Sequence, residues 1–114
     1  MKIQVNTDTH VEGREALAAQ VGTTVEHALR RFLDQVTRVE VHLSDQNGSK
    51  SGQRDKRCAM EARLEGRQPI TVTDDAATLD QAVRGAADKL ARLIDSQLGR
   101  VASADRSPDK PEAS

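Results

Sequence analysis

Histidine, cysteine and the Ser44-Asp45 pair are the side chains whose chemistry could drive a reaction, and their spacing argues against one. His10 falls in a polar turn, His27 in a helical pattern and His42 on the polar side of an alternating run. Cys58 is the single cysteine. No two of these residues share a spacing that metal ligation uses. Ser44-Asp45 has no histidine placed to act as its base, and Gly48 and Gly52 lie between two strands rather than opening a helix. Surface polar groups and one small buried thiol account for all of them. No catalytic residue, no metal site and no cofactor is therefore expected. A lone cysteine also excludes an intramolecular disulfide and suits a reducing compartment.

The remaining chemistry is electrostatic. The 114 residues hold 17 Lys+Arg against 18 Asp+Glu, a formal charge of −1, so bulk charge does not point to nucleic acid. Phe32 is the only aromatic residue, and without Trp or Tyr the usual platform for splayed RNA bases is missing. Local placement matters more. At about 100° per residue, a helix with Leu79, Ala86, Leu90 and Ile94 inward puts Lys89, Arg92, Ser96 and Arg100 on one flank. Asp80, Arg84, Asp88 and Asp95 fall on the other. Arg30 and Arg31 close a preceding helix, with His27 one turn earlier. The same charges also suit an ordinary solvated helix, because Asp80–Arg84, Arg84–Asp88 and Asp88–Arg92 are i,i+4 pairs.

The elements that must position these residues follow from periodicity. Ile3 and Val5 alternate with polar neighbours and predict a short strand. Leu17, Val21, Val25, Ala28, Leu29 and Phe32 recur every three or four residues and predict a helix from about Gly13 to Leu33. Val39, Val41 and Leu43 predict a second strand, and Cys58, Met60, Ala62 and Leu64 a third. The polar stretch 44–56 between them reads as a long hairpin loop. Ile70 and Val72 predict a fourth strand behind Pro69. Thr78 is the expected N-cap of a second helix marked by Leu79, Val83, Ala86, Leu90, Leu93, Ile94 and Leu98, ending near Gly99.

The order β-α-β-β-β-α, with one apolar face per strand and one stripe per helix, predicts an α+β fold. Two helices should pack on one face of a four-stranded mixed sheet, leaving the other face wet. The first crossover should join parallel strands and the later strands should pair antiparallel. One domain is expected over residues 1–101, with a polar, disordered tail over 102–114. The N-terminus lacks the apolar run of a signal peptide and no segment approaches a membrane span, so a soluble cytoplasmic protein is expected.

The element order, Val39-Glu40-Val41-His42-Leu43, the Glu61–Gly66 turn and above all Ala87-Asp88-Lys89-Leu90-Ala91-Arg92-Leu93 resemble the short ribosome hibernation promoting factors. These belong with the ribosome-associated inhibitor and the long hibernation factors. The resemblance covers about residues 1–100. It implies a fold like that of a double-stranded-RNA-binding domain and a seat on the small ribosomal subunit, in the channel of tRNA and mRNA. It also implies contact with ribosomal RNA through basic helix residues, and inhibition of translation. Lys89 and Arg92 match the family's basic positions; flank geometry extends the set to Arg100, Arg30 and Arg31.

Two features depart from the family pattern. Asp95 to Gly99 stand where further lysines are common, which implies fewer phosphate contacts. Leu79 replaces an aromatic, a packing change. No dimerising second domain like that of the long factors is expected, nor self-driven ribosome pairing, and a free monomer is expected. Lys89 and Arg92 lie off the apolar stripe, so replacing both with Glu is expected to spare the fold. The competing reading is a protein-interaction module using the open sheet face or the 44–56 loop.

Overall fold

Alternation of aliphatic and polar residues becomes four strands of one sheet in spatial order β1-β2-β3-β4. The computed structural model describes residues 1–7, 14–45 and 56–105. Strand β1 spans Lys2–Thr7, β2 Val36–Asp45, β3 Lys56–Leu64 and β4 Ile70–Ala76. β1 runs parallel to β2, and the two later pairings are antiparallel, as the crossover and hairpin lengths require. Ile3 lies beside Val39, Val41 beside Met60, and Met60 beside Val72, so the apolar side chains of all four strands share one face.

Helices α1 (Arg14–Ala28) and α2 (Leu79–Asp105) cover that face. Val25 and Leu29 meet Leu90 and Ile94 over Val39, Val41 and Met60, all of them buried completely. Burying each such side chain stabilises the fold by about 1.5–3 kcal/mol before chain entropy is counted. The α+β class and the β-α-β-β-β-α order are those expected from the pattern.

Several boundaries differ from expectation, each for a local reason. The first helix does not run to Leu33: α1 ends at Ala28 and a 3-10 turn follows over Arg30–Phe32. Leu29 leaves helical geometry at φ −106° and ψ 17°, and Phe32 N–H then donates to the Leu29 carbonyl at 2.8 Å. The tighter turn brings Phe32 into the core and turns the Leu33 side chain outward, 45 % exposed.

Strand β2 begins at Val36, ahead of Val39, because a bulge between Val36 and Arg38 absorbs one residue and keeps both valines inward. The Thr37 hydroxyl donates to the Arg63 carbonyl at 3.0 Å across that irregularity. Strand β4 extends through Asp74 and Asp75 to Ala76, well past Val72. Its hairpin turns at Gly66, whose φ of 73° is the left-handed region a side chain disfavours, and Arg67 N–H closes the turn on the Leu64 carbonyl at 3.1 Å.

Thr78 caps α2 as expected: its hydroxyl accepts from the Gln81 N–H at 3.1 Å. The helix continues to Asp105 rather than stopping near Gly99, and so takes in Ala102 to Asp105 of the expected tail. Gly99 does not turn the chain, since a glycine in helical geometry costs only about 1 kcal/mol. Leu93, read as part of the apolar stripe, is 42 % exposed. The rest of the tail, 106–114, and loop residues 46–55 lie outside the described residues, as does His10.

Candidate nucleic-acid interface

The connection from α1 to β2 projects Arg30 and Arg31 from the 3-10 turn, both exposed because Phe32 between the turn and the core takes the inward position. The Arg31 guanidinium lies over the Phe32 ring, 4.8 Å from its centroid, and 3.9 Å from Asp95 of α2. Stacking on the ring fixes the direction of the side chain, which stays 66 % exposed.

On α2, Arg92 reaches back one turn to Asp88 at 2.9 Å, and Arg84 to Asp80 at 3.2 Å. Arg92 is 78 % exposed and Arg84 73 %. Pairs this exposed contribute about 0–1 kcal/mol, so either guanidinium can leave its aspartate for a phosphate at little cost. Arg100 falls on α2, and its side chain lies outside the described residues.

Lys89 is placed differently. Its ammonium is 2.9 Å from the Asp74 carboxylate and donates to the Thr73 carbonyl at 2.8 Å, both on β4. Asp74 is only 22 % exposed and lies across from buried Cys58. It also rests against Gly85 of α2, where a Cβ would overlap its carboxylate. Lys89 thus fastens α2 to the edge strand. The structure does not gather Lys89 and Arg92 into one cationic pair: the first leans to the sheet edge and the second to Asp88.

Between the helices runs a groove of about 470 Å³. Ala28, Ala87 and Ala91 form its floor; Thr23, Thr24 and His27 of α1 face Arg84 and Asp88 of α2 across it. By periodicity Arg84 belongs with the acids of the far flank, and His27 is only a neighbour of Arg30 and Arg31. The interhelical spacing, which joins them into one site, has no signature within either helix.

On the opposite, open face of the sheet, Arg38 and Arg57 are paired with neighbouring side chains. Arg38 donates to Gln4 at 2.6 Å and to Glu40 at 2.7 Å, and Arg57 to Asp75 at 2.8 Å. At the base of the 44–56 loop, Lys56 meets Asp45 at 3.2 Å. Cys58 is buried and unpaired, and burial, with help from the Asp74 charge, pushes its thiol up to about 12. Among the described residues, no three His, Cys, Asp or Glu side chains are grouped so that they could hold a metal ion. No helix among them is long and apolar enough to cross a membrane.

Residues 3–102 match the family model described as sigma 54 modulation protein / S30EA ribosomal protein. No curated protein matches the chain. Among solved structures, the chain is similar to the N-terminal domain of Thermus thermophilus Protein Y, with a TM-score of 0.68 and 23 % identity over 85 % of this chain and 99 % of that one. It is also similar to a ribosomal subunit interface protein from Coxiella burnetii, with a TM-score of 0.63 and 17 % identity over 87 % and 99 %. At these identities the two structures speak for the fold.

Proposed function

Since the chain belongs to the sigma 54 modulation protein / S30EA ribosomal protein family, we propose that it is a ribosome hibernation factor that binds the small ribosomal subunit. In this reading it sits in the channel of tRNA and mRNA, contacts ribosomal RNA with its two-helix side and so blocks translation. It acts in the cytoplasm as a monomer, by occupancy rather than by catalysis.

The observation that carries the reading is the exposure of Arg31, Arg84 and Arg92 on the helix side, each facing a surface carboxylate, with Arg31 also stacked on Phe32. Phosphates can displace those carboxylates, and each exchange releases condensed counterions. Arg30 and Arg100 extend the contact along the 3-10 turn and α2. Lys89 contributes least to binding, because Asp74 already neutralises it. The competing use of the open sheet face gains no support from an apolar patch: the cations described there are matched by neighbouring acids and amides.

Co-sedimentation of the purified chain with separated ribosomal subunits over a range of salt tests this. Binding to small subunits that weakens steeply as salt rises is expected. Absence of binding to small subunits at low salt overturns the reading, and salt-insensitive binding favours a protein interface instead.

A further inference from the structure

We propose that the groove between α1 and α2 receives one unpaired nucleotide of ribosomal RNA, its base lying on the alanine floor and its phosphate at the arginine rim. The inference rests on the RNA-binding reading above and adds to it a site, an occupant and a base preference. At about 470 Å³ the groove is within the range of small-ligand sites, about 300–1,000 Å³.

The floor is made of methyl groups only. Ala28, Ala87 and Ala91 let a flat ring come into van der Waals contact without displacing a side chain. Hydroxyls, a carboxylate and a guanidinium project from the walls above this floor, and an aliphatic side chain from a protein partner would leave them unpaired. The Thr23 and Thr24 hydroxyls donate to the carbonyls of Ala19 and Gln20, each at 3.1 Å. With their protons committed, both oxygens can only accept from a bound group. Asp88 adds a further acceptor.

A wall of acceptors favours a base with an exocyclic amino group, adenine, cytosine or guanine, over uracil. His27, exposed at the mouth, supplies the ring for stacking that the missing Trp and Tyr cannot. Arg84 on the other wall, and Arg92 one turn beyond Asp88, are placed for the flanking phosphates. A paired base within a duplex cannot present its ring to such a floor, so the occupant is single-stranded.

The test separates shape from charge. Ala91→Leu fills the groove and His27→Ala removes the ring, and neither alters an arginine. Thr71→Ser, on the open sheet face away from the groove, is the control. Binding to purified small subunits is measured at several salt concentrations, alongside dimethyl sulfate reactivity of the ribosomal RNA, with thermal melting to verify the fold.

Ala91→Leu and His27→Ala are expected to weaken binding about ten-fold with an unchanged salt slope, since no phosphate contact is lost, while Thr71→Ser binds as the parent does. One adenine, cytosine or guanine should change reactivity on binding the parent and revert with Ala91→Leu. A folded Ala91→Leu variant that binds like the parent overturns the proposal. Loss of binding with no base changing reactivity assigns the groove to a ribosomal protein and overturns it equally. Failure of the parent itself to bind small subunits is the distinct result that removes the functional reading.

Discussion

Lys89 of α2 and Asp74 of β4 are joined at 2.9 Å, and the same ammonium donates to the Thr73 carbonyl at 2.8 Å. A cation placed on the helix surface by periodicity is thereby a structural fastener. It satisfies a carboxylate that the core-facing side of β4 leaves only 22 % exposed. Replacing Lys89 with Glu would set two carboxylates against each other at this junction, so a cost in stability is expected that the position of Lys89 off the apolar stripe does not reveal.

Lys89→Met should therefore destabilise the protein by about 1 kcal/mol, between the values for an exposed pair and for a charge-assisted buried bond. Lys89→Glu should cost more. In a double-mutant cycle with Asp74→Asn, urea unfolding should show a coupling of similar size. Additive single effects would show that the contact carries no energy.

Gly85→Ala tests the same junction from the helix side. Alanine is the better helix former by about 1 kcal/mol, yet its Cβ would overlap the Asp74 carboxylate that Lys89 holds in place. The substitution should lower the melting temperature in the parent and raise it in an Asp74→Ala background. A stabilising effect in both backgrounds would show that Asp74 moves aside freely.

Alkaline stability should depend on Cys58. Its folded thiol is pushed up to about 12, against an ordinary value of 9.0, so above pH 9 the unfolded chain loses a proton that the folded chain retains. The folded state then binds more protons, and stability falls as pH rises. The loss begins near pH 9, approaches about 1.4 kcal/mol per pH unit within the window and levels off near 12. Comparing unfolding of the parent and Cys58→Ala between pH 8 and 11 isolates this share. Parallel pH profiles would count against it.

Acidic residues on the helix side should restrain RNA binding. Asp80 lies 3.2 Å from Arg84, and Asp95 3.9 Å from Arg31. Asp80→Asn with Asp95→Asn frees both guanidinium groups, so affinity for small subunits should rise and the salt dependence steepen. Arg31→Gln with Arg92→Gln should do the opposite, flattening the log–log slope by roughly 0.7–0.9 per lost contact. Unchanged slopes in both variants would place the RNA contact elsewhere.

The strands and helices were legible because their signal is local. Val39, Val41 and Leu43 alternate, Leu79 to Leu98 recur at helical spacing, and each pattern works only with its apolar side covered. Thr78 was legible as a cap for the same reason, since its partner Gln81 is three residues away. Less was readable where competing geometries differ by one residue. The 3-10 turn at Arg30–Phe32 and the bulge ahead of Val39 each shift the chain so that a nearby aliphatic or aromatic side chain stays buried. That outcome depends on what lies above it.

From residue order alone came the α+β class, the parallel β1–β2 and antiparallel β2–β3–β4 pairings, and a core that draws Ile3, Val41, Met60, Val72, Leu29 and Leu90 to one side. Period-two and period-3.6 patterns specify which face is apolar, and the hydrophobic effect then leaves one way to bring those faces together. Only the tertiary structure decided which cations are committed and which remain available. Lys89 meets an aspartate fifteen positions earlier, on a strand that outruns its apolar pattern, and Arg84 comes to share a groove with His27. Such encounters are set by strand register and helix placement, and a Coulomb interaction acts through distance in space without regard to separation along the chain.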